Sequence, residues 1–272
     1  MHRTPSISSG VIHLAWTLLQ AGFGRPAEKR PEPAAEDRYE PAPREVPTVA
    51  KLPSPRPCDF YRVAVVGDSI VESYDHFYPN LLNEALVRNC VEVRGFGRTS
   101  DTLRGFMGQE PIQGVTKDRL DWVLSGGLEE LVIAMGVNDI AAGVTPEKMI
   151  GSLAEICERA MDAGVRRIVL VEVAPWGGSP RWNEERQQET LEYNRMLGEL
   201  ACELNFDFTL RGCDTEVEVV RIYRRLEAPY YPGYSMYPRI SAGRVDRVHP
   251  SQEGLMIIAQ EIVRQAYSEF MK

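Results

Sequence analysis

Three short runs of continuous apolar residues limit most sharply what this chain can fold into: Arg62 to Val66 (RVAVV), Leu131 to Met135 (LVIAM) and Arg167 to Val173 (RIVLVEV). A strand with one wet face alternates apolar with polar residues. A strand buried on both faces does not, and such strands belong to parallel sheets covered by helices on either side. Val91 to Val93 and Phe206 to Leu210 give weaker strand signals. Helical patterns stand between the runs. Thr145 can cap a helix whose first residue is Pro146, after which Met149, Ile150, Leu153, Ile156, Cys157 and Ala160 recur at spacings of three and four until Gly164. Asn183 to Leu204, Ser251 to Phe270 and Tyr78 to Arg88 predict further helices, with Leu255, Ile258, Ile262 and Ala266 on one face of the second. Strand and helix in alternation predict an α/β fold, a three-layer α/β/α sandwich around a parallel, flavodoxin-like sheet of about five strands.

The alternation begins near Tyr61, and the chain ahead of it is of another kind. Between Arg25 and Pro57 lie nine of the 19 prolines, interleaved with Glu, Ala, Lys and Arg. Such a stretch buries too little apolar surface to offset its ordering entropy, and 25–57 reads as a disordered, Pro-rich linker. Val11 to Gly24 (VIHLAWTLLQAGFG) is an apolar run too short to span a bilayer, interrupted by His13 and Gln20 and followed by no A-x-A cleavage site. Residues 1–24 therefore read as a signal, a loose membrane tether or a plain tail. The first would send the protein to the periplasm or outside the cell; the last would leave it cytoplasmic. One globular domain is expected over 58–272.

Charge and cysteine usage narrow the partners. A formal net charge of -8 repels phosphate backbones, so nucleic acid is not expected as a partner. Five widely spaced cysteines (Cys58, Cys90, Cys157, Cys202, Cys213) without a C-x-x-C pair indicate neither a disulfide framework nor a zinc site. Cys157 and Cys202 fall on apolar stripes of predicted helices and read as core residues, while Cys202 with Cys213 is the one pair to test as a bridge in an exported protein. The four histidines (His2, His13, His76, His249) include no i, i+4 pair, so no metal and no other cofactor is expected. The sequence carries no signal for an oligomeric state.

In open parallel sheets ligands bind at the carboxyl ends of the strands. The residues there are Gly67-Asp68-Ser69, Gly95-Phe96-Gly97, Gly136-Val137-Asn138-Asp139 and Pro175-Trp176. A serine at a strand-to-helix turn can be a nucleophile if a base takes its proton and donors await the oxyanion. The alternative for Asp68-Ser69 is an ordinary helix N-cap; for Asn138, a turn residue; for Gly97, a turn glycine, with Gly95 as its rival. Asp246 and His249, in DRVHP on one short loop just ahead of the last helix, offer an imidazole base and a carboxylate to orient it, though such a pair also occurs as a plain surface turn. His76 is the fallback base.

Taken in order, VVGDSI, GFGRTS, GVND and DRVHP resemble the four blocks of the SGNH hydrolase superfamily, also called GDSL esterases and lipases, from about Tyr61 to the C-terminus. The resemblance implies a catalytic domain over 58–272 with Ser69 as nucleophile, His249 as general base and acid, and Asp246 as its orienter. It implies an oxyanion hole of the Ser69 and Gly97 N–H groups and the Asn138 side chain. Arg98 stands where many members carry aspartate. The expected activity is hydrolysis of carboxylic esters through an acyl-enzyme, with short acyl groups such as O-acetyl on a carbohydrate or other small molecule as the substrate. The same family includes O-acyltransferases, lysophospholipases and thioesterases, and the fold can also serve as a silent binding module. Trp176, Trp182 and the tyrosines of APYYPGYSMYPRISAGR (Tyr230, Tyr231, Tyr234, Tyr237) are candidates to line a sugar or acyl site. Of these, Trp176, Tyr231 and Tyr234 are favoured; packing of the loop onto its own domain is the alternative.

Overall fold

Neighbouring residues of the first apolar run go to opposite sides of the molecule. Ala64 and Val66 join one buried cluster, Val63 and Val65 another, as the period of two in a strand requires. A computed structural model of the chain describes residues 60–111, 114, 116–241 and 243–271. The signal-like segment, the Pro-rich linker and the domain start at Cys58 fall outside these residues.

In chain order the elements are β1 (Tyr61–Gly67), α1 (Ser69–Leu86), β2 (Val91–Gly97), α2 (Leu103–Phe106), α3 (Arg119–Leu124), β3 (Glu130–Ala134), α4 (Val137–Ala142) and α5 (Pro146–Asp162). They continue with β4 (Arg167–Val171), α6 (Glu184–Leu210), β5 (Glu216–Val220) and α7 (Tyr223–Leu226). Four short strands follow, β6 (Glu227–Ala228), β7 (Tyr231–Ser235), β8 (Pro238–Ser241) and β9 (Arg244–Pro250), and then α8 (Gln252–Ala266). The first five strands form one parallel sheet in the order β2-β1-β3-β4-β5. Residues of α2, α3, α5 and α6 pack on one face and residues of α1 and α8 on the other, which gives the three layers. Each fully buried Leu, Ile or Phe in these layers contributes about 1.5–3 kcal/mol. No helix among the described residues is long and apolar enough to cross a membrane.

Local chemistry fixes the helix ends. Asn183 Oδ1 accepts from Arg186 N (2.8 Å) and Ser251 Oγ from Gly254 N (3.3 Å). Thr145 occupies the N-cap position of α5 without a capping bond from its hydroxyl, and Pro146 takes the first helical position. Helix α1 is broken: Ser73 is extended, and Tyr74, Asp75 and His76 have φ of 52°, 54° and 59°. The chain resumes as a helix with Pro79 near its new start, where a missing N–H costs little.

Three expectations are corrected. Phe206 to Leu210 is no strand but the end of α6: its period of two mimics a strand, yet Leu197, Leu200, Leu204 and Phe208 continue the buried helical stripe while Phe206 and Leu210 face water. The fifth strand is Glu216–Val220 instead. Cys157 is buried, but Cys202 lies one position off the α6 stripe and is exposed; it and Cys213 are both free thiols. Asp246 and His249 sit on β9, paired antiparallel with β8, rather than on a loop.

Candidate active site

The strand order places β1 beside β3 although β2 comes between them in sequence, and such a switch point opens a crevice at the strand ends. Gly67 ends β1 there. Asp68 caps α1, accepting from Ile70 N at 2.8 Å, so the next residue, Ser69, opens the helix with its N–H outside the helical bonding. Burial pushes the Asp68 carboxyl up to about 7, against the pull of the Ile70 N–H, and the charge of Asp101 adds to the rise.

Strand β9 brings the imidazole. Asp246 pairs with Arg239, but the next β8 residue, Pro238, pairs with Pro250, so the intervening residues of β9 bulge. Bulges re-aim side chains next to sites, and this one carries His249. His249 Nε2 lies 2.7 Å from Ser69 Oγ, and Nδ1 lies 2.7 Å from Asp246 Oδ2. Asp246 Oδ1 accepts from Val248 N (3.1 Å) and His249 N (3.2 Å). Partial burial works to raise the Asp246 carboxyl, but the bonds from the His249 N–H and ring and from the Val248 N–H outweigh it and hold it below its ordinary range. The Arg239 guanidinium Nε lies 3.8 Å from Asp246 Oδ2. His76 is not brought to Ser69: its ring rests on Gly95, where a Cβ would stand 2.8 Å from Nδ1.

Asn138, the second residue of α4, donates through Nδ2 to the Asp101 carbonyl at 2.9 Å. Asp139 beside it accepts from Leu103 N at 3.2 Å, and burial pushes its carboxyl up to about 7. Gly97 pairs with Gly67, and a Cβ on it would stand 2.3 Å from Glu72 N, so only glycine lets β2 come this close to the first turn of α1. The β1–β2 ladder runs on through Arg98 N to Gly67 O (3.1 Å), which leaves the Gly97 N–H outside that pairing.

These residues border a cleft of about 520 Å³ lined by Ser69, Glu72, Thr99, Asn138, Trp176, Arg181, Arg239 and His249 among others. Glu72 accepts from both the N–H (2.6 Å) and the hydroxyl (2.5 Å) of Thr99, tying α1 to the loop after β2. Of the aromatic candidates, Trp176 borders the cleft, with its Nε1 donating to Thr190 Oγ1 at 3.0 Å. Tyr231 and Tyr234 lie outside the lining. Tyr234 packs edge-on against Trp182 and Tyr231 with the Arg247 guanidinium over its ring, and Tyr230 is exposed. Glu72, Thr99, Arg181 and Arg239 were not singled out by the sequence. Only Glu72 left a trace there, three residues after Ser69 and so on the same helical face.

The GDSL-like Lipase/Acylhydrolase family matches this chain over residues 65–255. No curated protein matches it in sequence. Among solved structures, the lipase/acylhydrolase from Enterococcus faecalis is 20% identical at a TM-score of 0.55, over 77% of this chain and 97% of that one. A member of the lipolytic protein G-D-S-L family from Veillonella parvula DSM 2008 is 15% identical at 0.53, over 76% and 98%. A carbohydrate esterase family 3 protein from Talaromyces cellulolyticus is 15% identical at 0.55, over 78% and 99%. Likenesses at this identity speak to the fold alone.

Proposed function

The chain belongs to the GDSL-like lipase/acylhydrolase family and is an ester-bond hydrolase, and from that premise we propose that it works through an acyl-enzyme on Ser69, on short acyl esters such as O-acetyl groups of a carbohydrate or other small molecule. The observation that carries this reading is the line of hydrogen-bonding distances from Asp246 through His249 to Ser69. Ser69 Oγ attacks the ester carbonyl as its proton passes to His249 Nε2. Asp246 accepts from Nδ1–H, fixing the tautomer and stabilising the imidazolium. The oxyanion takes hydrogen bonds from the N–H groups of Ser69 and Gly97 and from Asn138 Nδ2. His249 then gives its proton to the leaving alcohol, and water, deprotonated by the same imidazole, releases the acid.

The cleft supports the size of the substrate. Its volume is that of a small-ligand site, and the hydroxyls of Ser100 and Ser179 with the guanidinium groups of Arg181 and Arg239 offer bonds to a hydroxyl-bearing substrate. A p-nitrophenyl ester series from acetate to long acyl chains, given to the full chain and to Ser69→Ala, tests this. Best turnover on acetate, lost in the variant, is expected. A long-chain optimum would move the substrate to lipids, and acyl transfer to an added sugar in preference to water would make the enzyme an acyltransferase.

A further inference from the structure

A buried ion pair stands behind the wall of the cleft that carries Asn138. The Asp101 side chain is fully buried and pairs with Arg119, the first residue of α3, whose own side chain is 12% exposed. The other arm of the same guanidinium, Nη2, donates to the main-chain oxygen of Phe96 at 2.8 Å. Arg119 thus holds both ends of the segment from Phe96 to Asp101. Within it a single turn bond, Asp101 N to Arg98 O (3.1 Å), closes over Ser100, whose φ of 64° is a conformation a serine seldom adopts without support from its surroundings.

What the segment holds is the amide of Asn138. The Asp101 carbonyl accepts one N–H of Nδ2, and in a planar amide the direction of one N–H fixes that of the other. We propose that Arg119 is a positioning residue of the esterase site, fixing the Asp101 carbonyl and so aiming the second Asn138 N–H at the oxyanion, without touching the substrate. The proposal rests on the oxyanion role given to Asn138 above. Stability alone is a poor reason for the pair, because a buried ion pair gains little over apolar residues of the same shape. Arginine fits the task because its rigid fork serves two acceptors at once, whereas a lysine nitrogen at the end of a flexible stem cannot reproduce both bonds.

The test is a cycle of variants of the full chain on p-nitrophenyl acetate. Arg119→Lys keeps the charge beside Asp101 and loses the fork; kcat should fall about 10-fold through misplacement, with KM little changed because the amide acts on the transition state. Asn138→Ala alone should cost on the order of 100-fold in kcat. In that background Arg119→Lys should cost less than about twofold, because the group it aims is gone. An equal loss in both backgrounds, or an unchanged kcat in Arg119→Lys, overturns the proposal. Asp101→Asn, which leaves the carbonyl in place and removes the charge, puts the same question from the other partner should the lysine variant fail to fold; it too must be non-additive with Asn138→Ala. If Asn138→Ala keeps full kcat while Ser69→Ala does not, the oxyanion role of Asn138 falls and takes the proposal with it. Turnover surviving in Ser69→Ala would instead sink the acyl-enzyme reading.

Discussion

Asp246 grips His249 twice, with Oδ2 at 2.7 Å from the ring Nδ1 and Oδ1 accepting from the His249 main-chain N–H at 3.2 Å. One carboxylate thereby holds both the main chain of His249 and the Nδ1 edge of its ring. An asparagine at 246 could keep the main-chain bond through its oxygen, but its NH₂ would face Nδ1 and favour the tautomer with hydrogen on Nε2, which then cannot accept the Ser69 proton. Asp246→Asn should therefore lower kcat on the order of 10³-fold or more while leaving the thermal midpoint nearly unchanged. Steady-state kinetics beside a melting curve checks this; a loss under about 10-fold would mean that packing alone orients the ring.

The parts of this site legible in the sequence are those whose partners recur in a fixed order at strand ends. Ser69, Asn138, Asp246 and His249 each follow a recognisable element or precede one, so the fold rule and the resemblance together locate them. Arg119 leaves no such mark. Arg119 lies 18 residues from Asp101 and 23 from Phe96, and in KDRLDW it reads as one more charge on a short helix. Its burial is a property of the packed loop, which no local pattern encodes. The misread strand at Phe206 to Leu210 has the opposite cause: the local alternation was real, but the helical stripe that began at Leu197 overrode it. The tyrosines of β7 illustrate a third limit, because aromatic composition does not tell a cleft wall from a strand packed on neighbouring aromatic rings.

Gly97 and Gly95 should respond differently to alanine. At Gly97 the new Cβ would meet backbone, Glu72 N at 2.3 Å and Val71 C at 2.8 Å, so the first turn of α1 must move. At Gly95 it would meet the His76 ring, a side chain that can rotate. Gly97→Ala should cost about 1–3 kcal/mol in urea unfolding, as overpacking does, and Gly95→Ala less. Because the turn that moves carries Ser69, Gly97→Ala should also lower kcat, whereas Gly95→Ala should not. The reverse order of stabilities would show that the helix yields more readily than the imidazole.

Asp68 gives the fold a pH dependence of definite sign. The group is 1% exposed, and burial raises its carboxyl from 3.8 to about 7. Between those values the folded chain keeps a proton that the unfolded chain has released, so this residue's contribution to stability falls as pH rises, by up to about 1.4 kcal/mol per pH unit, and levels off above the folded value. Asp68→Asn retains an oxygen to cap the Ile70 N–H and has no proton to lose. Urea unfolding of both chains at pH 5 and pH 8 should show the variant gaining on the wild type by about 1 kcal/mol or more at the higher pH. Parallel stabilities at the two values would mean that Asp68 is already ionised in the folded chain at pH 5, with enough solvation at the base of α1 to carry the charge.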